Sequence, residues 1–367
     1  MQPFEPQPPD QAGPQTDPYA PHGGWAPAPQ TPAAPYGQPY TSGSYPAAPS
    51  SPAPYGSHPG APVPPAMPPQ RQPRGLSPFG MPARHSWEIP MLVIVVVLTV
   101  FAYVIALVLL ATGNFDQYVV AFAAAPLLLW FGRGVNYASQ RVNGVKMSPT
   151  QFPEGYQLVV DAAARFGMAK VPDAYVVLGN GQINAFASGH GFRRYVVVYS
   201  DLFEVGGAAR EPDALAFIIG HEVGHIAAGH TSYWRQLGMF LVPFLPIIGS
   251  SLIRAQEYTA DNHGYCNRHT GAPAAMGTLA AGKYMNRLVG FDEMADRAAL
   301  EKGFFVWMVN ALSSHPVLTW RMWALRDRSR HGKMFLRPEP PAGAGAPAGG
   351  YPSSYGQAPA SPPKSVL

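Results

Sequence analysis

The sequence predicts an α+β domain tethered by a helical membrane hairpin and flanked by proline-rich tails. Three observations carry that expectation. Of 43 prolines, 26 lie in the first 90 residues and 8 lie after Phe335, so one continuous globule is excluded. Two apolar runs without charge follow the first tail. Only residues 145–335 then mix short β-branched runs with helical periodicity.

Residues 1–88 form the first segment. Through residue 84 they contain no Ile and a single Leu, Leu76, so they cannot bury enough apolar surface to offset chain entropy and are expected to be disordered. Residues 336–367 repeat that composition. The tails read either as ligands for SH3- or WW-like domains or, more plainly, as solvated spacers. Gly shows no three-residue period, which excludes collagen. The lone Cys266 excludes an internal disulfide framework. The formal charge of +4 is spread without a basic stripe, so nucleic acid is not an expected partner.

Residues 89–132 are read as two transmembrane helices. Ile89–Phe115 carries no charge and holds the roughly 20 apolar residues that cross a bilayer. It lies too far along the chain for a signal peptide. Tyr118–Gly132 is shorter. The connection 112–117 lacks Lys and Arg, whereas Arg71, Arg74 and Arg84 precede the pair and Arg133, Arg141 and Lys146 follow it. The positive-inside rule then places both tails and the catalytic region in the cytoplasm, on the cell (inner) membrane.

In the globular region, Ala174–Leu178, Ile183–Ala187 and Tyr195–Tyr199 read as strands. Asn180-Gly181 supplies a hairpin turn and residues 188–191 a second, giving a small meander. Residues 212–230 read as a helix carrying His221-Glu222-Val223-Gly224-His225. Positions i and i+4 share a helix face, so both imidazoles can reach one metal ion, while Glu222 lies beside it and can take a proton from water. Two histidines in so apolar a helix also need partners, which metal supplies.

A third histidine six residues beyond His225 is absent, because Thr231 stands there and His230 is one short. No Asp or Glu occurs from Ile226 to Gln256. If a carboxylate completes the site, Glu257 is the first candidate, and Asp261 one turn later can accept a hydrogen bond from a ligand imidazole. His230 and His263 are rival ligands. The apolar stretch 237–253, broken by Pro243, Pro246 and Gly249, cannot cross the membrane once without separating His225 from Glu257. It is too short to cross twice, so it reads as re-entrant or interfacial.

The motifs His221-Glu-Val-Gly-His225, Arg254-Ala-Gln-Glu257-Tyr-Thr-Ala-Asp261 and Ser314-His315-Pro316 with Arg321 resemble those of the M48 peptidases over about residues 150–330. The resemblance implies a gluzincin-type zincin domain with one Zn²⁺ on His221, His225 and Glu257. It implies an edge strand along the substrate at Asn184-Ala185-Phe186, His315 near the scissile carbonyl, and Arg321 supporting the site. The long helix pair or many spans of some family members are missing, so a prenylated substrate is not implied. The function expected is a membrane-tethered zinc endopeptidase cleaving protein or peptide substrates with metal-activated water, in membrane-protein or unfolded-protein quality control. The alternative is a membrane-anchored adaptor with a structural or vestigial metal site that acts through its tails.

Overall fold

The computed structural model describes residues 82–206, 211–326 and 332–339. The expectations for most of both tails therefore lie outside the described residues.

The chain enters a 24-residue helix, α1 (Glu88–Ala111), about 36 Å long at 1.5 Å per residue, enough to cross a bilayer. Val93, Val97, Phe101, Val104 and Val108 point outward and find no protein cover. The second apolar run is broken: α2 (Gln117–Ala123) is followed by α3 (Ala125–Asn143), bent by 58°. Asp116 caps α2, its carboxylate accepting the Tyr118 N–H at 2.8 Å. By length and composition, α1 alone qualifies as a span among the described residues, or two spans exist if the bent pair counts as one.

The sheet elements follow. They are β1 (Val145–Lys146), then α4 (Pro153–Arg165), β2 (Asp173–Val177), β3 (Ala185–His190) and β4 (Arg193–Tyr199). The strand order is β1-β2-β4-β3, with β2 parallel to β4 and the other pairs antiparallel. This corrects the meander. Asn180 (φ 49°) and Gly181 (φ 85°) do form a tight left-handed turn, but it makes no hairpin, because β4 inserts between the two strands it joins. Tyr195–Val198 of β4 are buried, and a strand buried on both faces belongs in the middle of a sheet. The predicted turn at 188–191 also moves, since β3 runs through His190 and reverses at Gly191 (φ 55°).

The rest is helical: α5 (Ser200–Gly206), α6 (Pro212–Ala227), α7 (Tyr233–Gly238), α8 (Pro246–Arg268), α9 (Ala272–Met285), α10 (Phe291–Leu300), α11 (Phe304–Leu312) and α12 (Leu318–Arg326). The prolines outside the tails find a use here. Helices α3, α4, α6, α8 and α9 each carry Pro in the first turn, where a missing N–H costs nothing. The protein is thus mostly helical with a small mixed sheet.

Helix α6 is apolar on all sides because it is sandwiched. Leu215, Ile219 and Val223 pack on the sheet and α4. Ala214 and Phe217 face α8, α9, α10 and α12. Helices α6 and α8 approach closely through glycine: a Cβ at Gly224 would sit 2.4 Å from the His263 Cβ. That contact sets the distance between the two histidines on α6 and the carboxylates on α8.

Candidate metal centre and substrate cleft

One turn of α6 presents His221 and His225, and α8 presents Glu257 opposite them. His225 Nε2 lies 3.2 Å from His221 Nε2. Each imidazole Nε2 lies 3.4 Å from a Glu257 carboxylate oxygen. Ligand atoms on a tetrahedral zinc, with bonds near 2.0–2.1 Å, stand about 3.3 Å apart. Among the described residues this is the group of three His, Cys, Asp or Glu side chains suited to a metal ion, and its donor set of two nitrogens and one carboxylate oxygen suits zinc.

The other ring nitrogens are held. His221 Nδ1 donates to Asp261 Oδ1 at 2.9 Å. Asp261 is gripped in turn by Arg321, through Nε at 2.9 Å and Nη2 at 2.6 Å. Burial lowers His221 affinity for a proton, but Asp261 and Glu257 outweigh it and raise the group to about 10. Burial works to raise Asp261, and Arg321 with His221 outweighs it to hold the carboxyl at about 2. Glu257, despite burial, is kept well below the usual range by His221 and His225. His225, whose dominant influence is burial, falls well below its ordinary value.

His225 is oriented by a route that sequence reasoning missed. Its Nδ1 faces His230 Nδ1 at 2.8 Å, and His230 Nε2 lies 3.2 Å from Glu88 Oε1. Glu88 is fully buried at the head of α1. It also accepts from Arg84 (2.6 Å), Arg235 (2.7 Å) and the Thr259 hydroxyl. His230 is therefore placed behind His225, and not in the triangle of donor atoms. His263 is likewise apart, donating Nδ1 to the Thr259 carbonyl at 2.8 Å. The available signal was Glu88 itself, a carboxylate abutting an apolar span, where an ionisable group needs a partner.

Glu222 lies in the same cleft, and burial pushes its carboxyl up to about 7. The cleft, of about 230 Å³, is lined by Ala185, Phe186 and Ala187 on one wall and by His221, Glu222 and His225 on the floor. Strand β3 is an edge strand of the sheet, and its Ala187 backbone hydrogen-bonds to the Glu222 carboxylate. Asn184 lies just before β3 and lines an adjoining cavity with Ile183 and Phe217. His315 is exposed at the rim, its Nε2 3.7 Å from Glu257 Oε1. The loop carrying it is fixed by buried Arg254, whose Nη1 donates to the carbonyls of Ala311 (2.8 Å) and Ser313 (3.1 Å).

The structure thus brings together the residues singled out from sequence: Asn184–Phe186, His221, Glu222, His225, Glu257, Asp261, His315 and Arg321. One comparison with known proteins agrees in kind. The sequence model of Peptidase family M48 matches residues 149–245 and 233–329. A search of curated proteins finds no match. Among solved structures, the crystal structure of S. mikatae Ste24p is similar at 16% identity and a TM-score of 0.34. That similarity covers 61% of this chain and 61% of that one, so this chain spans about three-fifths of that protein's length. The described core, with its His-Glu-x-x-His helix and downstream Glu257, belongs to a member of peptidase family M48.

Proposed function

We propose that this chain is a membrane-tethered, zinc-dependent endopeptidase. The observation that carries the reading is the triangle of His221, His225 and Glu257 donor atoms at zinc spacing, with Glu222 beside it in a cleft walled by the edge strand β3. A zinc ion there supplies Lewis acidity and makes a neighbouring water acidic enough to act near neutral pH.

The chain's own residues do the rest. An extended peptide pairs with the outer edge of β3, so backbone hydrogen bonds provide affinity with little demand on sequence. Glu222 takes a proton from the attacking water and returns it to the leaving amine, for which a carboxyl near pH 7 is well matched. His315, at the rim, donates to the scissile carbonyl oxygen as negative charge develops. Asp261 and His230 lock the tautomers that turn both Nε2 atoms inward, and Arg321 fixes Asp261.

The membrane reading rests on α1 and on the side from which the domain is gripped. Arg84 bonds the Ala228 carbonyl (2.7 Å) before α1 begins, and Arg133 on α3 bonds the Thr231 carbonyl (2.7 Å). Both ends of the hairpin therefore meet the catalytic domain on one side, which the excess of Arg and Lys assigns to the cytoplasm. Membrane-embedded or unfolded proteins are the substrates such a placement favours, consistent with quality control. Removing metal from the detergent-solubilised full chain with a chelator is expected to abolish cleavage of an unfolded protein, and added zinc to restore it. Cleavage that persists without metal would overturn the proposal.

A further inference from the structure

Helix α11 has the sequence Phe304-Phe-Val-Trp-Met-Val-Asn-Ala-Leu312. Asn310 and Ala311 are buried, yet Phe304 (66%), Phe305 (73%), Trp307 (43%) and Val309 (55%) are exposed. A helix apolar nearly all round belongs in a protein core or in lipid, and the described residues provide no core for it.

Its position says which. Ser250 Oγ donates to the Ala311 carbonyl at 2.6 Å, and Arg254 to the same oxygen, so the C-terminal end of α11 is pinned to the first turns of α8. Those turns lie alongside α1, where Met91 and Val95 pack on Leu252 with Met239, Val242 and Leu245 against them. The stretch leading into α8 is wedged deeper still. Phe240 packs with Tyr103 of α1 and Phe122 of α2, and the Tyr233 hydroxyl bonds the Pro126 carbonyl of α3. Phe244, Ile247 and Ile248 are exposed there too. The C-terminal end of α11 and the N-terminal part of α1 thus meet the same stretch of α8, residues 250–254.

We propose that α11 is inserted in the lipid bilayer interface, with Phe304, Phe305 and Trp307 among the acyl chains and headgroups. The preceding Lys302 is placed to meet anionic headgroups. Rings at that depth are the side chains such a boundary favours. The insertion brings the His315 rim, three residues beyond the helix, to the membrane surface. Polypeptide emerging from the bilayer then reaches the cleft first.

The proposal rests on α1 spanning a bilayer, and its test separates the two. In the full chain with Cys266→Ser, single spin labels are placed through Phe305→Cys, Val104→Cys on α1 and Lys170→Cys on an exposed loop. The protein is set in nanodiscs of phosphatidylcholine and phosphatidylglycerol. The label at 305 is expected to collide with oxygen and lose collisions with a water-soluble nickel chelate, as at 104. Nickel access at 305 equal to that at 170, with 104 still shielded, overturns α11 insertion alone. Protection at 305 from both reagents also overturns it, because a protein surface such as a second copy then covers the helix. Nickel access at 104 overturns the span and the insertion together. Val309→Cys gives an independent reading should Phe305→Cys fail to fold.

Discussion

At the scale of single residues, the site is a set of imidazoles whose protons are assigned by their neighbours. In the metal-free protein, Asp261 and Glu257 hold His221 protonated up to about pH 10, against the effect of burial. His225 is already neutral at pH 7 and Glu257 already ionised. Zinc uptake therefore displaces about one proton, from His221. Affinity should fall roughly tenfold for each pH unit below 10 from this group alone. Calorimetry of zinc binding in two buffers of different ionisation enthalpy measures that proton directly, and no buffer dependence would refute the assignment. His230 is the second test. His230→Ala leaves His225 Nδ1 without its partner, and zinc affinity should drop about 10–100-fold in a chelator competition. If His230 were only packing, affinity would hold while the melting temperature fell.

At the scale of elements, the approach of α6 to α8 decides whether the donor atoms meet. Gly224 faces the His263 side chain with no room for a methyl group. Gly224→Ala should push the helices apart and destabilise the fold by about 1–3 kcal/mol, the usual cost of overpacking. It should also lower zinc content, whereas a melting curve and zinc content both unchanged would contradict that geometry. This level was partly legible in the sequence. The i, i+4 histidines and the first downstream carboxylate find each other because local periodicity fixes which side chains share a face. Glu88 signals only that it needs a partner, and that the partner is His230 was not legible, since the two lie 142 positions apart and meet through tertiary packing alone. The sheet order escaped for a related reason. A tight Asn-Gly turn between two strands has the local signal of a hairpin, and only the burial of β4 on both faces pulls it into the middle. Helix α11 escaped as well, because a nine-residue helix is too short to read as a span.

At the scale of the whole molecule, the apolar helix α1 and the candidate metal centre are one unit. Glu88 begins α1 and ends the hydrogen-bond chain that starts at His225. Residues 82–88 and 332–339 both dock on α8: His85 stacks on Tyr258 and meets the Gly332 carbonyl at 2.8 Å, and Met334 is buried beside Arg254. The chain on either side of the domain is therefore tied down before the proline-rich segments begin. The central claim is that this assembled unit hydrolyses peptides with Glu222 as its base. It is tested most directly by zinc content and casein cleavage of the full chain in detergent, native against Glu222→Gln. One zinc per chain is expected in both, and cleavage in the native protein alone. Casein cleavage by the Glu222→Gln protein, or native protein that binds no zinc, would contradict it.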